Sequence, residues 1–182
     1  QVEHPVTELI TGIDLVEQMI NIAYGKKLDI TQKDIKLNGS AIETRIYAEN
    51  PYKNFLPSIG RLTKYHPPKE KKYPDGSIIR NDTGVREGDE VSMFYDPMIA
   101  KLCSWGETRD VSIKRMESAL DNFLLEGIDH NIPFLSAILG NKRFKSANLS
   151  TSFIQDEFEE GFQGIIPTVS YTHLRAHETS QH

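Results

Sequence analysis

Gln1-Val2-Glu3-His4 sets an amide, a carboxylate and an imidazole within four residues at the start of the chain. In an extended backbone alternate side chains share a face, so Gln1 and Glu3 can point into one cleft. That set suits an anionic substrate, because an amide and a backbone N–H hold oxygens while the carboxylate accepts a proton. A strand end carrying exposed polar groups has the same pattern. Arg80 is a second candidate: it closes the apolar pair Ile78-Ile79 and precedes the turn-like Asn81-Asp82-Thr83-Gly84. A guanidinium fixed in a cleft stabilises an oxyanion, and the competing reading is an ion-pair partner on the surface. His173 and His177 stand at i, i+4, a spacing that can offer two imidazoles to zinc from one helix face, but no third ligand accompanies them. No metal site is therefore expected. The chain carries no glycine-rich phosphate loop, no CxxC and no G-x-S-x-G.

These residues need elements to hold them. Residues 1–5 read as a strand end or loop. Asp14 and Glu17 have capping-box spacing, and Leu15, Val16, Met19, Ile20 and Ala23 form one apolar stripe before Gly25. A polar connector runs over 26–40. The period then changes to two, with Ile42, Thr44, Ile46 and Ala48 on one face and Glu43, Arg45 and Tyr47 on the other. Short strands are expected over 61–66, 77–82 and 98–105, separated by Pro67-Pro68, Asp75-Gly76 and Glu87-Gly88-Asp89. Three helices close the pattern. In the first, Ile113, Met116, Leu120, Phe123 and Leu124 face inward until Gly127; the second covers 132–139 with Asn131 as its cap; the third covers 151–158. A β-rich middle with flanking helices is an α+β arrangement.

The length of 182 residues suits one compact domain, alone or with an appendage, and 38% hydrophobic against 26% charged residues supports a packed core. A net charge of −5 argues against a nucleic-acid binder, whose phosphate contacts need a basic excess. No apolar run approaches the roughly 20 residues that cross a bilayer. Lone Cys103 cannot form an internal disulfide. The chain opens at Gln1 rather than Met, so a preceding stretch with any targeting signal is expected. Residues 168–182 show no helix or strand face and resemble translated adapter DNA; the tail from 165 is read as non-native.

Gln1-Val2-Glu3-His4-Pro5-Val6-Thr7-Glu8 resembles the signature segment of biotin carboxylases, members of the ATP-grasp superfamily. The resemblance continues through Ile42-Glu43-Thr44-Arg45-Ile46-Tyr47-Ala48-Glu49, Phe55-Leu56-Pro57-Ser58-Ile59-Gly60, Tyr95-Asp96-Pro97-Met98-Ile99-Ala100-Lys101-Leu102 and Gly127-Ile128-Asp129-His130-Asn131-Ile132-Pro133-Phe134-Leu135, in the family's order. It implies the end of an ATP-grasp domain over 1–37, then the β-rich biotin carboxylase C-terminal subdomain with flanking helices over 38–164. Tyr47-Ala48-Glu49-Asn50-Pro51-Tyr52 and Arg80-Asn81-Asp82-Thr83-Gly84 look most like the branch that serves propionyl-CoA carboxylation.

The resemblance also implies a chemistry. ATP and bicarbonate form carboxyphosphate, whose CO2 carboxylates N1 of biotin borne on a carrier domain. Glu3 would be the base that deprotonates bicarbonate, Gln1 and the backbone N–H of Val2 would hold its oxygens, and Arg80 would contact both bicarbonate and the biotin ureido oxygen. The Mg2+ or Mn2+ ligands, the catalytic arginine and the glycine-rich lid of the family lie upstream of Gln1. Implied partners are a biotin carboxyl carrier domain and a carboxyltransferase subunit within an oligomer, without nucleic acid or membrane, in the bacterial cytoplasm or the mitochondrial matrix. The alternatives are another ATP-grasp ligase, pyruvate carboxylase, or a non-catalytic subunit-docking module.

Overall fold

The computed structural model describes residues 4–164. Two helices open it, α1 (His4–Thr11) and α2 (Leu15–Ala23). Strand β1 (Ser40–Tyr47) follows, then the short strands β2 (Glu49–Asn50), β3 (Leu56–Pro57), β4 (Gly60–Arg61), β5 (Lys64–His66) and β6 (Lys71–Lys72). After them come β7 (Ile78–Thr83), β8 (Glu90–Val91) and β9 (Met98–Gly106). The chain continues with α3 (Arg109–Asp121), β10 (Leu124–Glu126), α4 (Ile132–Gly140), α5 (Lys142–Lys145) and α6 (Phe153–Glu157). The α+β expectation holds.

Four strands form the main antiparallel sheet in the order β1-β9-β7-β6. The period-two reading of β1 is realised, since Ile42, Thr44, Ile46 and the following Ala48 are buried and the residues between them are not. Register carries that face across the sheet: Ile42 pairs with Ser104 and Ser104 with Ile79, while Thr44 pairs with Leu102 and Leu102 with Asn81. Helix α3 lies on this side through buried Ile113, Met116 and Leu120. The polar atoms it covers are satisfied, as burial demands. Thr44 Oγ1 donates to Leu102 O at 3.2 Å, and Ser104 Oγ donates to Ser112 O at 2.9 Å. The central strand β9 is buried on both faces and reads accordingly as a nearly continuous apolar run, Met98-Ile99-Ala100-Lys101-Leu102-Cys103. Burial pushes the Cys103 thiol up to about 12, with the nearby Glu43 and Asp82 carboxylates adding to it, so this cysteine is an inert core residue.

Beyond the sheet, β5 and β10 pair and carry Tyr65 and Leu125 into the same core beside Leu62 and Phe123. Gly127 makes the turn after β10 with φ +102°, and a Cβ there would stand 2.1 Å from the Arg61 carbonyl oxygen, so only glycine fits.

Several expectations need correcting. Residues from His4 onward are helical rather than extended, and Pro5 is tolerated in that first turn because its missing N–H has no intrahelical partner anyway. The α2 cap is as expected, with Asp14 Oδ1 accepting from Glu17 N at 2.8 Å. Its apolar stripe, however, is uncovered among the described residues, leaving Met19 60% and Ile20 52% exposed. Periodicity aligns side chains; it does not say what packs on them. The expected 61–66 strand divides into β4 and β5. Leu124 points outward, because the chain leaves the helical period at Asn122 and Leu124 begins β10. Helix α5 arises unannounced where the Asn141 side chain accepts from Arg143 N and Phe144 N, and the third helix is shorter than expected.

Asn131 occupies the N-cap of α4 but its side chain caps nothing. Instead, its Oδ1 accepts from Tyr47 N at 2.9 Å and its Nδ2 donates to Arg45 O at 3.0 Å, clamping the end of β1. Replacing it by alanine removes both of these bonds. Asn131→Ala is therefore expected to lower stability by about 1–3 kcal/mol, read as a lower urea midpoint at unchanged m-value.

Candidate active site

The other face of the sheet is charged. The registers set Glu43, Cys103 and Arg80 in one row across β1, β9 and β7, and Arg45, Lys101 and Asp82 in the next. Residues two apart on a strand share a face, which is why Arg80 and Asp82 meet. Helix α1 packs over this side against β1 and β9. Its Glu8 reaches β7.

Arg80 sits at the centre of the group. Its Nε donates to Asp82 Oδ1 and its Nη2 to Asp82 Oδ2, both at 2.7 Å, a bidentate fork on the same strand. Its Nη1 donates to Glu8 Oε2 at 2.5 Å. Both readings of Arg80 thus meet in one residue: it is an ion-pair partner, but a partly buried one held on two sides, with its side chain 28% exposed. Glu8 is gripped in turn. Its Oε1 accepts from Leu15 N at 2.9 Å, and His4 Nδ1 lies 3.3 Å from Oε2, an ion pair when the imidazole is protonated.

Electrostatics follow from those contacts. Burial raises the pKa of Glu8, but hydrogen bonds from Arg80 and Leu15 N, with the His4 imidazole beside them, outweigh it and hold the carboxyl below its ordinary value. Arg80 is pushed further up, chiefly by its bond to Asp82 and then, against burial, by Glu8. Arg45 is raised similarly by the bond its Nε makes to Glu43 Oε1 at 2.9 Å. Two carboxylates on one guanidinium leave the Arg80 group at about −1, so its cation is pinned and already compensated. A guanidinium has five N–H donors. Partners among the described residues use three, which leaves two, one on each terminal nitrogen, for an oxygen of a ligand. Orientation by protein carboxylates, with donors still unspent, is what an oxyanion stabiliser needs.

Of the residues singled out in the sequence, the structure places Arg80 on β7. Gln1, Val2 and Glu3 lie outside the described residues, as do His173, His177 and the tail. The neighbour of Glu3, His4, begins α1 and stands beside the Glu8 carboxylate that binds Arg80. Sequence reasoning missed Glu8, and it read Asp82 only as part of a turn. The i, i+2 spacing of Arg80 and Asp82 on a strand was a usable signal; the contact of Glu8 with Arg80, 72 positions away, had none. Among the described residues no group of three or more His, Cys, Asp or Glu could hold a metal ion, and no helix is long and apolar enough to cross a membrane. A groove of about 630 Å3 touches Glu43 and Arg45 from the α4 side, but its walls include the apolar Phe134, Leu135, Ile138 and Phe153, and Arg80 does not line it.

Known proteins resemble this chain in sequence and in fold. The Biotin carboxylase C-terminal domain family matches residues 43–156, and the Carbamoyl-phosphate synthase L chain, ATP binding domain family matches residues 1–31. The chain is 53% identical to the propionyl-CoA carboxylase alpha chain of Ruegeria pomeroyi, covering 100% of this chain and 29% of that protein. With the mitochondrial propionyl-CoA carboxylase alpha chain of Homo sapiens it shares 48% identity, over 93% of this chain and 23% of that one. It thus spans less than a third of these relatives. Among solved structures, the biotin carboxylase domain of 2-oxoglutarate carboxylase from Hydrogenobacter thermophilus, in complex with MgADP, ADP and bicarbonate, superposes with a TM-score of 0.80. The two are 40% identical, over 86% of this chain and 33% of that one. Pyruvate carboxylase of Rhizobium etli superposes with a TM-score of 0.82 at 35% identity, over 93% of this chain and 17% of its own.

Proposed function

Because the chain belongs to the biotin carboxylase family, whose C-terminal domain matches residues 43–156, we propose that it is the C-terminal part of an enzyme that uses ATP and bicarbonate to carboxylate N1 of carrier-bound biotin. Residues 1–37 end the ATP-grasp domain, 38–164 form the C-terminal subdomain, and 165–182 are a non-native tail. The observation that carries this reading is the pinned guanidinium of Arg80, held by Asp82 and Glu8 with two donors that no described residue engages.

The chemistry asks for such a group. A ureido nitrogen is a weak nucleophile until its oxygen takes on negative charge, so a fixed cation at that oxygen lowers the barrier to loss of the N1 proton. Arg80 takes this place and also contacts bicarbonate. Glu3 accepts the proton of bicarbonate, while Gln1 and the N–H of Val2 hold its oxygens. Mg2+ or Mn2+, which would neutralise the phosphates of ATP, is assigned to residues of the full polypeptide that precede Gln1. The similarity to propionyl-CoA carboxylase alpha chains at 53% and 48% identity supports propionyl-CoA as the final acceptor. That acceptor would be reached through a biotin carboxyl carrier domain and a carboxyltransferase subunit in an oligomer. The same relatives, bacterial and mitochondrial, support the bacterial cytoplasm or the mitochondrial matrix as the location.

The test compares this 182-residue chain with the full-length polypeptide. The full-length protein is expected to release ADP in a bicarbonate-dependent way and to carboxylate free biotin, whereas the 182-residue chain should do neither. Turnover by the short chain above a heat-killed control would overturn the assignment of nucleotide binding to upstream residues. ADP release by the full-length protein without bicarbonate dependence would overturn the function.

A further inference from the structure

We propose that Glu8 is a positioning residue for biotin carboxylation: it fixes the guanidinium of Arg80 from the side opposite Asp82 and ties it to helix α1, whose first residue follows Glu3. The inference rests on the role proposed above for Arg80, and goes beyond it by assigning a second residue to the same step.

Three observations carry it. The first is geometric redundancy. Asp82, two residues along the same strand, already engages Nε and Nη2 of Arg80, so neutralising that cation within β7 needs no other carboxylate. Glu8 takes the remaining terminal nitrogen, Nη1. With Asp82 alone the guanidinium can swing as a rigid fork with the carboxylate it grips; with both, the plane is held at two edges and any such swing breaks a bond. The second observation is that Glu8 is itself immobilised. Its side chain is 10% exposed, its other oxygen accepts from Leu15 N at the start of α2, and its pKa is held low, so it stays an anion through the neutral range. A carboxylate anchored to a helix junction transmits a fixed position; a loose surface glutamate would not. The third is connectivity. Helix α1 packs on β1 and β9, and the Glu8–Arg80 bond takes it on to β7. His4, beside Glu8, is covalently next to Glu3. Glu8 therefore holds the arginine proposed to stabilise the biotin oxyanion at a fixed place relative to helix α1. Positioning of this kind changes rate steeply with small displacements.

A purely structural ion pair would share the contacts and couple in stability, but not in carboxybiotin turnover. The experiment is a double-mutant cycle in the full-length enzyme: wild type, Glu8→Gln, Arg80→Lys and the double variant, each assayed for carboxybiotin and ADP at varied biotin. Glutamine keeps an oxygen for Leu15 N and removes the charge facing Arg80. Glu8→Gln is expected to lower carboxybiotin formation by about 10–100-fold, mostly in kcat, and by less than about 3-fold when Arg80→Lys is already present, because the group it positions is gone. An equal loss in both backgrounds would mean that Glu8 acts independently of Arg80, and would overturn the inference while leaving the role of Arg80 intact. If Arg80→Lys alone leaves both products at wild-type levels, the proposed role of Arg80 fails and this inference fails with it. Should circular dichroism show that Glu8→Gln does not fold, Glu8→Asp takes its place in the cycle. It keeps the charge but is one methylene too short, and the same non-additivity is expected with a smaller loss.

Discussion

Glu3→Gln in the full-length enzyme is expected to lower bicarbonate-dependent ATP cleavage by about 10²–10⁴-fold, the usual worth of a positioned general base. The amide copies the shape of the carboxylate and still offers an oxygen, but it cannot take a proton at any pH at which the protein is folded. Binding should suffer less than turnover. Gln1 and the N–H of Val2 are the groups proposed to hold the bicarbonate oxygens, and neither changes, so KM for bicarbonate should move by a small factor while kcat carries the loss. Carboxybiotin should fall in parallel with ADP, because deprotonating bicarbonate precedes both products. Glutamine is nearly isosteric with glutamate, so the thermal midpoint should stay within about 2 °C. Steady-state measurement of ADP and carboxybiotin against bicarbonate concentration decides it. Near-normal release of both products would remove Glu3 from the proton transfer whatever family the chain belongs to.

The parts of the fold that could be read from the sequence are those in which burial alone dictates residue type. Ile42, Thr44, Ile46 and Ala48 alternate because β1 has one face under α3, and Ile113, Met116 and Leu120 recur at helical spacing for the same reason. What could not be read depends on partners far along the chain. Asn131 has the residue type and place of a helix cap, but the free N–H of Tyr47 and carbonyl of Arg45 lie within reach and recruit its side chain. Either use satisfies the amide, and no local pattern decides between them. The α2 stripe has the period of a buried helix, yet burial is settled by a neighbour rather than by the stripe. The site divides in the same way. Arg80 could be suspected as an arginine closing the apolar pair Ile78-Ile79, and Asp82 shares its face by simple alternation. Glu8 sits in the first helix, and only the packing of α1 across the charged side of the sheet brings it to Arg80.

Arg80→Lys, made in the full-length enzyme, should be more damaging than a charge-conserving change suggests, and damaging in a different way from Glu3→Gln. Lysine keeps a cation but replaces a planar fork of five donors by a compact ammonium with three. It cannot span both oxygens of Asp82 and also reach Glu8, so the three-point fixation of the cation is lost together with the two donors left for a ligand. The fold should tolerate the change better than the chemistry does. Removing one partner of a fully buried pair costs about 3–5 kcal/mol, but here the arginine side chain is 28% exposed and the ammonium still pairs with one carboxylate, so solvent screening reduces the loss. At the biotin step, losing a preorganised donor to the developing oxyanion costs roughly 2–4 kcal/mol, or about 30–1,000-fold in carboxybiotin. Formation of carboxyphosphate needs Glu3 and the upstream nucleotide site and relies less on Arg80, so part of the ATP cleavage survives without carboxylation. The ratio of ADP to carboxybiotin should therefore rise well above the wild-type ratio, and adding biotin to saturation should not restore it, because the defect lies in the transition state. A proportional fall of both products would place Arg80 before carboxyphosphate is formed, as a bicarbonate ligand alone. Uncoupling would place it at the ureido oxygen, where its two unspent donors are chemically most useful.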